Sequence, residues 1–129
     1  MNSINFKKEL LCDFESAISR TTEALKKEGF GVLTRIDFHS KMKEKLNQDM
    51  PPLVILGACN PSLAFQAYSR SPDVTSLLPC NTVVRQLSAG RISVEVAKPS
   101  AMMEILGDPE LTQMACEADL MLKRAIENL

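Results

Sequence analysis

Two hydrophobic periods alternate along this chain, and that alternation restricts its fold more than any other feature. Phe14, Ala17, Ile18, Thr21, Ala24 and Leu25 recur at the three- and four-residue spacing of one helix face. Asp13 precedes them as an N-cap, because its carboxylate can accept a bond from an amide of the first turn. Gly29 closes the helix, since it tolerates the left-handed backbone of a C-terminal cap. Before this helix, Ile4, Phe6, Lys8 and Leu10 show the two-residue period of a strand near an edge. After it, Phe30 to Ile36 reads as a second strand, and Asp37 is placed to cap a helix running to about Asn47. Pro51-Pro52 ends that connection. The continuous apolar run Leu53 to Ala58 then suits a central, heavily covered strand.

Asn60-Pro61 signals a third helix start: asparagine caps, and proline takes the first helical position, where its missing amide costs nothing. Ala64, Phe65, Ala67 and Tyr68 carry the helix toward Ser71-Pro72, and Leu77 to Asn81 leads into a strand over Thr82 to Leu87. Ser88-Ala89-Gly90 turns the chain into Arg91 to Ala97. There Ile92, Val94 and Val96 alternate with Arg91, Ser93 and Glu95, the pattern of an antiparallel hairpin with one wet face. Pro99 begins a short helix and Asp108-Pro109 a long one, whose stripe is Leu111, Met114, Ala115, Ala118, Leu122, Ala125 and Leu129. With neither repeats nor linkers, residues 1–129 read as a single domain. Alternating strands and helices suggest a parallel, three-layer α/β sheet, whereas the terminal hairpin fits a two-layer α+β sandwich. The pattern leaves both open.

Composition narrows the function classes. Fifteen basic and sixteen acidic residues leave a net charge of −1, with no basic run to neutralise phosphates, so nucleic-acid binding is not expected. The opening Met1 to Glu9 lacks the apolar core of a signal peptide, and no apolar stretch is long enough to span a bilayer. A cytoplasmic protein without membrane contact is expected, with its four cysteines as reduced thiols. Cys12, Cys59, Cys80 and Cys116 match no paired zinc or redox spacing. Glycine is sparse, and no phosphate-cradling loop or dinucleotide fingerprint is present.

The chemically suggestive feature is a repeated dipeptide. Cys59-Asn60 is followed by Pro61, and Cys80-Asn81 is preceded by Pro79. Cys59 lies just before a helix N-terminus, where the dipole and free amides favour a thiolate that could serve as a nucleophile, a redox centre or a soft-metal ligand. Packing competes with that reading, because free cysteine is a common apolar filler and Asn60 and Asn81 can serve as a cap and a turn anchor. His39 is the only histidine and so the only imidazole base within the chain, yet its place in a helix's first turn is ordinarily solvent-facing. Cys12 and Cys116 have no comparable context.

The segments Glu28-Gly29-Phe30-Gly31-Val32-Leu33-Thr34-Arg35-Ile36-Asp37, Leu56-Gly57-Ala58-Cys59-Asn60-Pro61 and Leu77-Leu78-Pro79-Cys80-Asn81 resemble, in order, the signature segments of a microbial family, the domain of unknown function DUF302. The resemblance runs from the first strand to the last helix. It implies a TATA-binding-protein-like α+β fold, in which a curved, largely antiparallel sheet of about five strands carries helices on one face, and it implies homodimers. It carries no DNA-binding implication, since function follows sites rather than folds. The chain departs from the family pattern at Arg35, where an acidic residue is usual, and at His39. The expected function is a dimeric small-ligand or soft-metal binding module, its pocket lined by Asp37, Cys59, Asn60, Pro61, Cys80 and Asn81, with Cys59 and Cys80 as candidate metal ligands. No cofactor is needed for folding, and a soft metal or haem is compatible with the residues. The alternatives are a thiol enzyme, in which Cys80 resolves Cys59, and a purely structural or interaction domain.

Overall fold

The first strand ends beside a capping signal. In the computed structural model, which describes residues 4–129, β1 (Asn5–Leu11) gives way to α1 (Phe14–Lys27) at Asp13, whose carboxylate accepts the Ser16 amide at 2.8 Å. Met1 to Ser3 lie outside the described residues. At the far end of α1 the Phe30 amide bonds Leu25 O at 2.9 Å and the Gly29 amide bonds Lys26 O at 3.0 Å, with Gly29 at φ +83°. This is the paired-bond cap that requires a left-handed residue, and it delivers Phe30 into the core. Ala17, Ile18, Thr21, Ala24 and Leu25 form the buried stripe, and the Thr21 hydroxyl is satisfied by Ala17 O at 2.7 Å.

The remaining elements are β2 (Gly31–Asp37), α2 (Phe38–Leu46), β3 (Leu53–Cys59), α3 (Pro61–Arg70), a 3-10 turn (Pro72–Leu77), β4 (Cys80–Ser88), β5 (Arg91–Ala97), α4 (Pro99–Met103), a second 3-10 turn (Glu104–Leu106) and α5 (Pro109–Glu127). The five strands form one sheet in the order β1-β5-β4-β3-β2, and every neighbouring pair is antiparallel. The architecture is a two-layer α+β sandwich, and the parallel three-layer alternative is overturned. The reason lies in where the helical connections return. Asp37 pairs with Val54 across α2, and Ala58 pairs with Cys80 across α3. Each excursion re-enters the sheet at the end it left, so α2 and α3 are end loops and not crossovers.

β1 is an edge strand, as its weak alternation predicts, while the middle place belongs to β4 and the apolar β3 lies one strand off centre. Leu10, Val54, Leu56, Val84, Ile92, Val94 and Val96 face α1 and α5 in the main core. On the opposite face Ile36 is exposed, and Ile55 and Val83 are half-buried. The wet face expected for β5 is only partly wet: Ser93 is buried and Glu95 keeps 13% of its side chain exposed. Arg85 at 2.8 Å, Ser93 Oγ at 3.1 Å and Lys7 at 3.4 Å enclose that carboxylate. Burial pushes Glu95 up, but the Ser93 bond and the two cations outweigh it and hold the carboxyl below its ordinary value.

A second, smaller cluster of Val74, Met103, Leu111 and Ala115 packs beneath the excursion that contains α3. The two clusters meet along α5, which gives Ala118 and Leu122 to one and Leu111 and Ala115 to the other. Among the described residues no helix is long and apolar enough to cross a membrane.

Candidate functional site

Antiparallel pairing of β3 with β4 brings the two Cys-Asn segments together. Ala58 lies opposite Cys80 and Gly57 opposite Asn81, so Cys59 and Cys80 flank one end of a single strand pair. Gly57 is required there, because a Cβ at this position would collide with Thr34 Oγ1 and stand 2.8 Å from Pro79 Cγ. Asn60 caps α3 as the sequence predicts, its Oδ1 accepting the Leu63 amide at 3.2 Å. Its Nδ2 makes a long contact, 3.9 Å, with Met121 Sδ.

Between this end of the sheet, α3 and α5 lies an apolar hollow of about 100 Å³. Cys59, Asn60 and Cys80 are in its wall, together with Ala64 and Ala67 of α3 and Ala115 and Ala118 of α5. Small residues on both facing helices, at the seam between two apolar clusters, leave volume that larger side chains would fill. Met103, Met114 and Phe30 complete much of the apolar lining, and the exposed Gln66 and Glu117 stand at its rim. The pairs Ala64/Ala67 and Ala115/Ala118 were the sequence signal for this hollow; only their assignment to facing helices was missing.

The remaining expected site residues are placed elsewhere. Asn81 lines a second hollow of about 80 Å³ beside Pro79 and α4, while the exposed Pro61 is in the wall of neither. Asp37 pairs with Val54 at the opposite end of β3 from Cys59, roughly 17 Å away at the rise of a strand. It therefore does not share a pocket with the cysteines. Nor does its side chain cap α2. Its carboxylate bonds Arg35 at 3.0 Å, so the arginine that departs from the family pattern occupies the group that would otherwise cap. His39 belongs to the same distant end: its Nδ1 accepts the Leu53 amide at 3.0 Å, and its ring meets Phe14 edge-on at 6.1 Å. It braces α2 against β3 and is no base for Cys59. Cys12 packs on the main core, and the exposed Cys116 donates to Thr112 O at 3.4 Å.

The helix N-terminus does not make Cys59 acidic; burial raises its pKa above the ordinary 9.0. Cys80 is pushed up to about 11, by burial first and then by the neighbouring Cys59 and Asp119. Both sulfurs are neutral thiols near pH 7, weak donors and soft apolar surface rather than thiolates. Among the described residues no group of three His, Cys, Asp or Glu side chains is placed to hold a metal ion, so a soft metal would have the two thiols as its protein ligands of that kind. A haem does not fit: a dry cavity of about 150 Å³ holds one benzene, and this hollow is smaller.

A search of solved structures returns the protein described as "Crystal structure of uncharacterized conserved protein DUF302 from Bacillus stearothermophilus", which is 29% identical over 98% of each chain and superposes with a TM-score of 0.91. No curated protein matches the chain in sequence. The family model described as "Domain of unknown function DUF302" matches residues 6–129, and with that coverage and this fold the chain belongs to the DUF302 family.

Proposed function

We propose that this chain is a dimeric binding module for a small, largely apolar molecule held in the hollow between α3 and α5. The observation that carries the reading is that segments twenty residues apart, Cys59-Asn60 and Cys80, meet in the wall of one apolar hollow. Binding sites in small domains have this composition: mostly apolar lining with a few polar atoms that orient the ligand. Asn60 and the two neutral thiols supply those atoms. Neutral thiols are poor nucleophiles, so the thiol-enzyme alternative has less support. The dimer is supported by the sheet face without helices, where Ile36, Ile55 and Val83 form an apolar strip.

The test uses 1-pentanol as a probe and observes the ¹³C-labelled methionine methyl groups by NMR. Saturable shifts at Met103 and Met114 are expected, lost in Ala67→Phe, which fills the hollow from α3. No saturable shift in the native chain, or unchanged shifts in the folded variant, would return the chain to the purely structural reading.

A further inference from the structure

The hollow is not isolated. A second one, of about 80 Å³, lies beside the Pro79 segment and α4, and Leu78, Cys80, Pro99 and Met103 line both. The two stand back to back across those four side chains. Two of the four are compact fixtures, Pro99 and Cys80, while Met103 is an unbranched thioether that changes rotamer at low cost. The partition is therefore thin and partly movable. The larger hollow opens at Gln66 and Glu117, and the smaller reaches the surface at the exposed Asn81. Glu117 is the only charged side chain in either lining.

We infer that the ligand is an unbranched aliphatic chain with a head group that is not anionic, threaded past Cys80 and Met103 from one hollow into the other. This rests on the binding reading above and adds shape and charge to it. Either hollow is smaller than the cavity that holds a benzene ring, so a compact ring is too wide for both, whereas a slender chain removes apolar surface from water in both. Each methylene that enters a dry apolar wall contributes about 0.8 kcal/mol, or nearly fourfold in affinity. At the mouth, the Glu117 carboxylate repels a carboxylate head and tolerates a hydroxyl.

The experiment is an NMR titration of the full chain with 1-butanol, 1-pentanol, 1-hexanol, 1-heptanol and 1-octanol, then with cyclohexanol and octanoate. Affinity is expected to rise about threefold to fourfold per methylene along the series, with Met102 shifting only for the longer members. Ala97 and Met102 line the second hollow and not the first. Ala97→Phe should therefore weaken 1-octanol more than 1-pentanol and abolish the gain between them. Should that variant fold poorly, Ala97→Leu reads out the same effect in smaller measure. Octanoate is expected to bind at least threefold more weakly than 1-octanol. Binding of 1-pentanol with no further gain to 1-octanol, cyclohexanol matching 1-octanol, or octanoate exceeding it would overturn the inference while leaving the binding reading intact. Failure of every alcohol to bind would remove both.

Discussion

A free thiol ionises near pH 9, and the Cys80 side chain does not have a free thiol's surroundings. Burial against Leu78, Pro99 and Met103, with Cys59 and Asp119 nearby, pushes its pKa up to about 11. Folding thus favours the protonated form, and the unfolded chain releases this proton at lower pH. Well below pH 9 both states are protonated and Cys80 contributes its full packing energy. Between pH 9 and 11 the unfolded chain binds fewer protons, so stability falls as pH rises, by about 2 kcal/mol at the upper end. Cys80→Ala should remove that slope. Urea denaturation at pH 8 and pH 10.5 reads the outcome: a native-minus-variant difference that does not shrink with pH would mean that Cys80 is not shielded. At this scale the sequence was partly legible. Cys59, Asn60 and Cys80 stood out by their context, but the environment of the sulfurs did not, because the core against which Cys80 packs is assembled from segments distant in the chain.

At the scale of elements, α3 was legible at its start and obscure in its role. Asn60-Pro61 marks the start from local chemistry alone, and the capping bond to the Leu63 amide follows. The helix has no buried residue, exposes Phe65 and Tyr68, and covers the hollow with its alanines. Its attachment to the body is therefore light, and the cap is a large part of its stability. Asn60→Ala should cost about 1 kcal/mol and speed amide exchange through Leu63 to Ala67, while Asn60→Asp, which retains the acceptor, should lose less than half as much. Equal losses in the two variants, measured by urea denaturation, would show that the carboxamide acts through its Met121 contact and not as a cap. The sequence rule that found Asn60 failed at Asp37, which occupies the same position before α2. There Arg35, two residues back on the same face of β2, takes the carboxylate. Capping propensity is local, and an ion pair on the strand competes with it.

The whole molecule presents one covered and one uncovered sheet face, and the dimer proposal belongs at this scale. Ile55 on β3, beside Val83 on β4 and Ile36 on β2, is at the centre of the uncovered apolar strip. Ile55→Lys should yield a monomer by light scattering at a concentration where the native chain is dimeric, with an unchanged far-ultraviolet spectrum. A variant as dimeric as the native chain would exclude this face, and a monomeric native chain would exclude the dimer. The boundaries of the five strands and most of the α-helices were set by the sequence itself, within a residue or two, because periodicity, caps and prolines act over a few neighbours, whereas the two 3-10 turns were not legible. The direction in which strands pair was decided only by the tertiary structure. Had β3 and β4 run parallel, the end of one and the start of the other would lie at opposite edges of the sheet, with Cys59 and Cys80 far apart. Antiparallel return through α3 makes them neighbours and leaves a hollow beneath that helix. No local pattern records this, because it depends on which end of the sheet an excursion comes back to.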